Sequence, residues 1–106
     1  MEKVYNKLVR DKIPEIIKSN GEEPIIKILK NDEFKKALEI KLLEECNEVI
    51  NADAEDRLEE LADLLEVMEA LAKLENADLN KINLLADKKR QKRGSFDKKI
   101  YLEGVK

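Results

Sequence analysis

From Asn31 to about Lys92 the apolar residues recur every three or four positions, which is the period of an amphipathic helix. Three helices are expected there. The first starts at Asn31 or Asp32, either of which suits an N-cap, and runs to about Ala52. The second starts near Asp53 and ends at Leu74 or Glu75. Asn76-Ala77-Asp78 breaks the pattern, and a third helix runs to about Lys92, where Gly94 ends it. Met1 to Leu29 is irregular. A short helix is expected here, with Asp11 as N-cap and Pro14 near its start, stopping at Asn20-Gly21. Ile25, Ile26 and Ile28 suit a brief extended piece over Pro24 to Leu29. The tail from Lys98 to Leu102 alternates weakly and reads as a short strand or a docked arm. The expectation is an all-α helical bundle in one domain spanning 1–106, with room for a short strand or arm near each terminus.

The direction of the acidic side chains is more telling than the helices themselves. On the helix from Asp53 to Leu74, at about 100° per residue, Glu55, Glu59, Glu66, Glu69 and Lys73 fall on one solvent face. Glu60 and Asp63 fall on the far side, with Val67, Leu71 and Leu74, which a helix buries. The preceding helix repeats the arrangement. Leu38, Leu42, Cys46 and Val49 form its apolar stripe, flanked by Phe34; Glu45 projects from inside that stripe, Glu48 from its edge, and Glu44 lies further round.

Composition narrows the chemistry. Hydrophobic and charged residues each make up 42% of the 106 residues, as amphipathic helices require. Three Gly, two Pro and four aromatics are too few for a barrel or sandwich of short strands. A net charge of −3 gives no strong general attraction to nucleic acid or anionic membrane. The single Cys46 excludes an intramolecular disulfide and, in its apolar stripe, reads as a small core residue. No apolar run approaches the roughly 18 residues that span a bilayer, and the opening Met-Glu-Lys-Val-Tyr has no secretion signal, so a cytoplasmic location is expected. The absence of His removes imidazole bases, His-ligated zinc and Ser-His triads.

Acids on an apolar face need a counter-charge. Pairing within the helix offers Arg57 for Glu60 and Lys41 for Glu45. It offers nothing for Glu48 or Asp63, whose neighbours one turn away are further acids. Two acids at i, i+3 on each of two antiparallel helices would converge on one pocket, and a divalent cation would resolve their repulsion. An all-oxygen donor set favours Mg²⁺, with Mn²⁺ as the alternative, and Mg²⁺ bound by few carboxylates points to phosphate chemistry. The competing reading is a ring of acids around a polar, partly solvated groove.

Glu44-Glu45-Cys46-Asn47-Glu48 followed by Glu60-Leu61-Ala62-Asp63 resembles the E-E-x-x-E and E-x-x-D signature of MazG-like proteins, in the all-α nucleoside triphosphate pyrophosphatase superfamily. Tyr5 to Pro14 is similar to the opening of a subgroup described as phosphoribosyl-ATP pyrophosphohydrolase-like. Lys89 to Phe96, then Lys98 to Leu102, is similar to its closing segment. The resemblance implies a pyrophosphohydrolase that cleaves nucleoside triphosphates, often non-standard ones, to monophosphate and pyrophosphate. It implies Glu45, Glu48, Glu60 and Asp63 as magnesium ligands, and Glu44 as a further ligand or the group orienting water. Glu44, Glu45, Glu48, Glu60 and Asp63 would then be the catalytic set. Phosphoribosyl-ATP hydrolysis in histidine synthesis is the alternative, which the opening and closing segments fit less well.

Lys41, Lys89 and Arg93 are the candidate phosphate-binding cations. Lys89 and Arg93, at i, i+4 near the end of the last helix, form a clamp or a solvated helix end suited to the dipole. Arg10 and Lys12 read either as phosphate-binding groups or as ordinary surface charges. Tyr5, Phe34, Phe96 and Tyr101 are the aromatics available to stack on a base. A catalytically silent helical interaction module is the reading from another class; nucleic acid is disfavoured because the basic run is short and lacks interleaved aromatics. Helices this few leave apolar faces uncovered, so a homodimer or homotetramer is expected.

Overall fold

In the computed structural model four α-helices follow one another: α1 (Ile13–Ser19), α2 (Asn31–Asn51), α3 (Ala54–Leu74) and α4 (Leu79–Arg93). The structure describes residues 3–106; Met1 and Glu2, which open the stretch expected to be irregular, lie outside the described residues. No strand forms among the described residues, so the fold is all-α.

Local chemistry sets each boundary. Pro14 sits in the first turn of α1, where its missing N–H costs no helical bond. Lys12 takes the N-cap position and not Asp11. At the other end Gly21, at φ 84°, lets its own N–H reach the Lys18 carbonyl and the Glu22 N–H reach that of Ile17. α2 is capped differently from the expectation. Neither Asn31 nor Asp32 caps it; Lys30 is the N-cap, and its backbone N–H donates to Glu33 Oε1 at 3.3 Å.

Ala52 and Asp53 alone link α2 to α3, which forces an αα-hairpin and packs the two long helices along each other. Leu38 and Val67 are buried between the apolar stripes, and Phe34, Leu42, Cys46, Val49 and Leu71 are half-buried. The core is small, and α4 packs on α3 only sparsely. Asn76, at φ 57°, turns the chain between them. Two acids then cap α4: Asp78 Oδ1 accepts the Lys81 N–H at 3.0 Å, and Glu69 Oε2 accepts the Leu79 N–H at 2.8 Å. That bond is why Glu69 is half-buried and not on the open solvent face expected for it.

Pro24 to Leu29 forms no strand, and Ile25, Ile26 and Ile28 stand exposed. Gly94, at φ 80°, closes α4 as expected. After a turn in which the Lys99 N–H meets the Phe96 carbonyl, the tail forms no strand, and its residues are exposed. None of the described helices is long and apolar enough to cross a membrane.

Candidate metal centre

The hairpin decides which acids can meet. Glu45 lies as far before the Ala52-Asp53 link as Glu60 lies after it, so the two stand level on facing helices. Glu48 is one turn nearer the hairpin tip and Asp63 one turn further from it. The i, i+3 pairs therefore run in opposite directions, and Glu48 and Asp63 are offset by about 9 Å along the helix axes at 1.5 Å per residue.

The side chains follow this geometry. Carboxylate oxygens of Glu45, Glu60 and Asp63 lie within 4.8 Å of one another. Glu48 is outside that group and exposed, although its charge still reaches Glu60. Glu45 is the most enclosed of the acids, only 8% exposed; Glu60 and Asp63 are half-buried. Partial burial, then the charges of Glu48, Asp63, Glu45 and Asp56, raise the Glu60 carboxyl above its ordinary pKa.

The cations around the acids differ from those that helix spacing offers. Lys41 Nζ does lie 3.6 Å from Glu45 Oε1, and it also donates to Glu44 Oε1 at 3.4 Å. Arg57 does not pair with Glu60. It turns towards the link, and its Nε donates to the Ala52 carbonyl at 2.9 Å, where a helix C-terminus lacks partners. Glu60 has no ion-pair partner among the described residues. Asp63, for which no local cation exists, is met by Arg10 from the N-terminal segment, Nη2 to Oδ1 at 2.7 Å. The same segment roofs a shallow hollow of about 80 Å³ beside the acids, walled by Asn6, Lys7, Leu8, Ala37, Ile40, Lys41 and Glu44.

Lys89 and Arg93 stand apart from these contacts. With Leu85, Lys88, Gln91 and Lys92 they border an open groove on α4, exposed throughout and free of acidic partners among the described residues. Of the aromatics, Phe34 is half-buried against the hairpin, and Tyr5, Phe96 and Tyr101 are exposed.

Three carboxylates from two rigid helices form a hard, all-oxygen donor set suited to a small divalent cation. Lys41 and Arg10 bracket the trio and leave Glu60 as its uncompensated member.

No protein-family model matches the chain, and no solved structure matches it significantly. An uncharacterized protein of Mycolicibacterium smegmatis is 49% identical over 49 residues, 46% of this chain and 50% of that relative. The match thus spans half the relative's length, and it carries no description of activity.

Proposed function

We propose that this chain is a Mg²⁺-dependent nucleotide pyrophosphohydrolase, which uses one water to open a phosphoanhydride of a nucleoside triphosphate, giving the monophosphate and pyrophosphate. The observation that carries this reading is the meeting of Glu45, Glu60 and Asp63 across two helices, with no cation paired to Glu60 among the described residues. The E-E-x-x-E and E-x-x-D resemblance agrees with it. The donor chemistry fits a resident Mg²⁺, with Glu45, Glu60 and Asp63 holding it and Glu48 flanking them. When bound, the ion supplies charge neutralisation at phosphate oxygens and activation of water.

The protein's own residues do the rest. Lys41, held by Glu44 and Glu45, keeps a positive charge at the rim of the hollow, where an anionic phosphate would approach. Glu44 is half-buried and fixed by Lys41, in place to accept a hydrogen bond from water. Leu8, Ala37 and Ile40 give the hollow an apolar wall against which part of the nucleoside can rest. Lys89 and Arg93 belong to the reading as further phosphate cations, contributed from α4.

A panel of nucleoside triphosphates and phosphoribosyl-ATP, each with and without Mg²⁺, tests the proposal by pyrophosphate release. Calorimetric titration with Mg²⁺ alone gives a second readout. Glu45→Gln, Glu48→Gln and Asp63→Asn should abolish turnover with helical content retained, and Asp63→Asn should also weaken Mg²⁺ binding at least tenfold. Normal turnover in these variants would overturn the assignment.

A further inference from the structure

Arg10 reaches Asp63 from the same segment that covers the hollow beside the acids. Just before it in the chain, Asn6, Lys7 and Leu8 line that hollow opposite Ala37 and Lys41 of α2. The Arg10 carbonyl accepts the Ile13 N–H at 3.1 Å, which ties its backbone to the start of α1 while the side chain crosses to α3. Counted outward from the hairpin link, Asp63 stands level with Leu42, the neighbour of Lys41. Lys41 pairs with Glu44 and Glu45, and Arg10 pairs with Asp63. Both cations therefore belong to the end of the trio that points away from the hairpin tip, which is also the end at the hollow.

Folding does not account for the Arg10–Asp63 pair. Both side chains are about half exposed, and screened pairs of this kind contribute little. A divalent ion on the trio would also turn the pair into a conflict. Asp63 has one negative charge to share between the ion and the guanidinium, and the two cations repel each other across it. A polyphosphate resolves the conflict, because it brings several charges, ligates Mg²⁺, and accepts paired hydrogen bonds from a guanidinium.

Resting on the nucleotide reading, we infer that Arg10 is a phosphate-binding residue that pairs with Asp63 in the ion-free protein and passes to phosphate when Mg²⁺ and nucleotide bind together. The sign of its effect then depends on the ligand. Towards Mg²⁺ alone Arg10 is a competitor for Asp63; towards Mg²⁺ with a polyphosphate it is a donor. Ion and nucleotide thereby bind cooperatively, and by linkage each raises the affinity for the other by the same factor. The protein takes the ion with its nucleotide in preference to an idle ion. The transfer is a side-chain movement, since the Arg10 backbone is held at the start of α1.

Calorimetry on the full chain tests this, first with Mg²⁺ alone, then at saturating Mg²⁺ with inorganic tripolyphosphate and with a panel of α,β-methylene nucleoside triphosphates. Arg10→Ala should bind Mg²⁺ alone about two- to fivefold more tightly. It should bind both kinds of polyphosphate about tenfold or more weakly, the worth of one charge-assisted hydrogen bond. Arg10→Lys should recover part of the polyphosphate affinity, and helical circular dichroism should be the same in all three proteins. A merely structural Arg10 would move both affinities in the same direction, and that result overturns the inference. So does an unchanged polyphosphate affinity in Arg10→Ala, or a loss confined to the nucleoside analogues; either leaves the nucleotide reading standing. Wild-type protein that takes up Mg²⁺ but neither kind of polyphosphate overturns both.

Discussion

Arg10 donates from Nη2 to Asp63 Oδ1 at 2.7 Å, joining the irregular N-terminal segment to the middle of α3 across 53 residues of sequence. The guanidinium occupies one oxygen of a carboxylate that the metal reading also needs. Its side chain is 58% exposed and that of Asp63 47%, so the pair is solvent-screened and contributes little to folding.

Arg10→Ala should therefore change unfolding free energy by less than about 1 kcal/mol in urea titration. It should also tighten binding of Mg²⁺ alone by about two- to fivefold, because a competing cation has been removed from Asp63. Arg10→Lys should fall between, since an ammonium matches a carboxylate less well than a guanidinium does. Calorimetric titrations of the three proteins check this, and identical Mg²⁺ affinities would separate Arg10 from the site.

Glu60 makes a prediction about pH. Its raised pKa means that the folded protein holds this proton more tightly than the unfolded chain does. The stabilisation from that proton is complete below the unfolded value and is lost as pH rises through the folded one. In the metal-free protein Glu60 should thus contribute more stability near pH 4 than at pH 7. In Glu60→Gln that component of the pH dependence should vanish, and its stability at pH 7 should equal or exceed wild type. Denaturation at the two pH values, without and with Mg²⁺, reads this out. A Glu60→Gln protein with the wild-type pH profile would refute it.

Most of the carboxylate cluster is legible in the sequence because helical periodicity is local. Glu45, Glu60 and Asp63 could be assigned to apolar faces from spacing alone, and the hairpin needed only the short break at Ala52-Asp53. What failed was the assumption that acids one turn apart on each helix all converge. In an antiparallel pair, Glu48 and Asp63 step away from each other. Helix spacing offers Arg57 to Glu60, but i, i+3 spacing ignores the competing demand of an unpaired carbonyl, here Ala52. Arg10 was beyond reach for a different reason, since no periodicity connects an irregular segment to a helix 53 residues later. Ile25, Ile26 and Ile28 show the weakness of β propensity without a partner strand: apolar, β-branched, and left exposed.

The junction of α3 and α4 rests on two carboxylates capping adjacent N–H groups, Glu69 on Leu79 and Asp78 on Lys81. Asp78→Ala should cost about 1 kcal/mol, the usual worth of an N-cap. Glu69→Ala should cost a similar amount, and hydrogen exchange of the Leu79 amide should accelerate in that variant alone. Because both groups serve one helix end, the double variant should cost less than the sum of the singles. Additive losses would mean that the two caps act on independent local unfolding events.

Lys89 and Arg93 are exposed on a helix that packs only sparsely on α3, with no acid engaging either of them among the described residues. Removing them should leave the fold and the carboxylate trio intact. If they bind substrate phosphate, Lys89→Ala with Arg93→Ala should raise KM for a nucleoside triphosphate by tenfold or more, the worth of two charge-assisted contacts. Binding of Mg²⁺ alone should be unchanged. The KM effect should shrink as salt rises, because exposed cations are screened over about 10 Å at 0.1 M. If these residues only solvate the end of α4, the double variant should keep its KM and lose a few tenths of a kcal/mol through the helix dipole. Steady-state kinetics at two ionic strengths, beside urea denaturation of the same variant, decides between these outcomes.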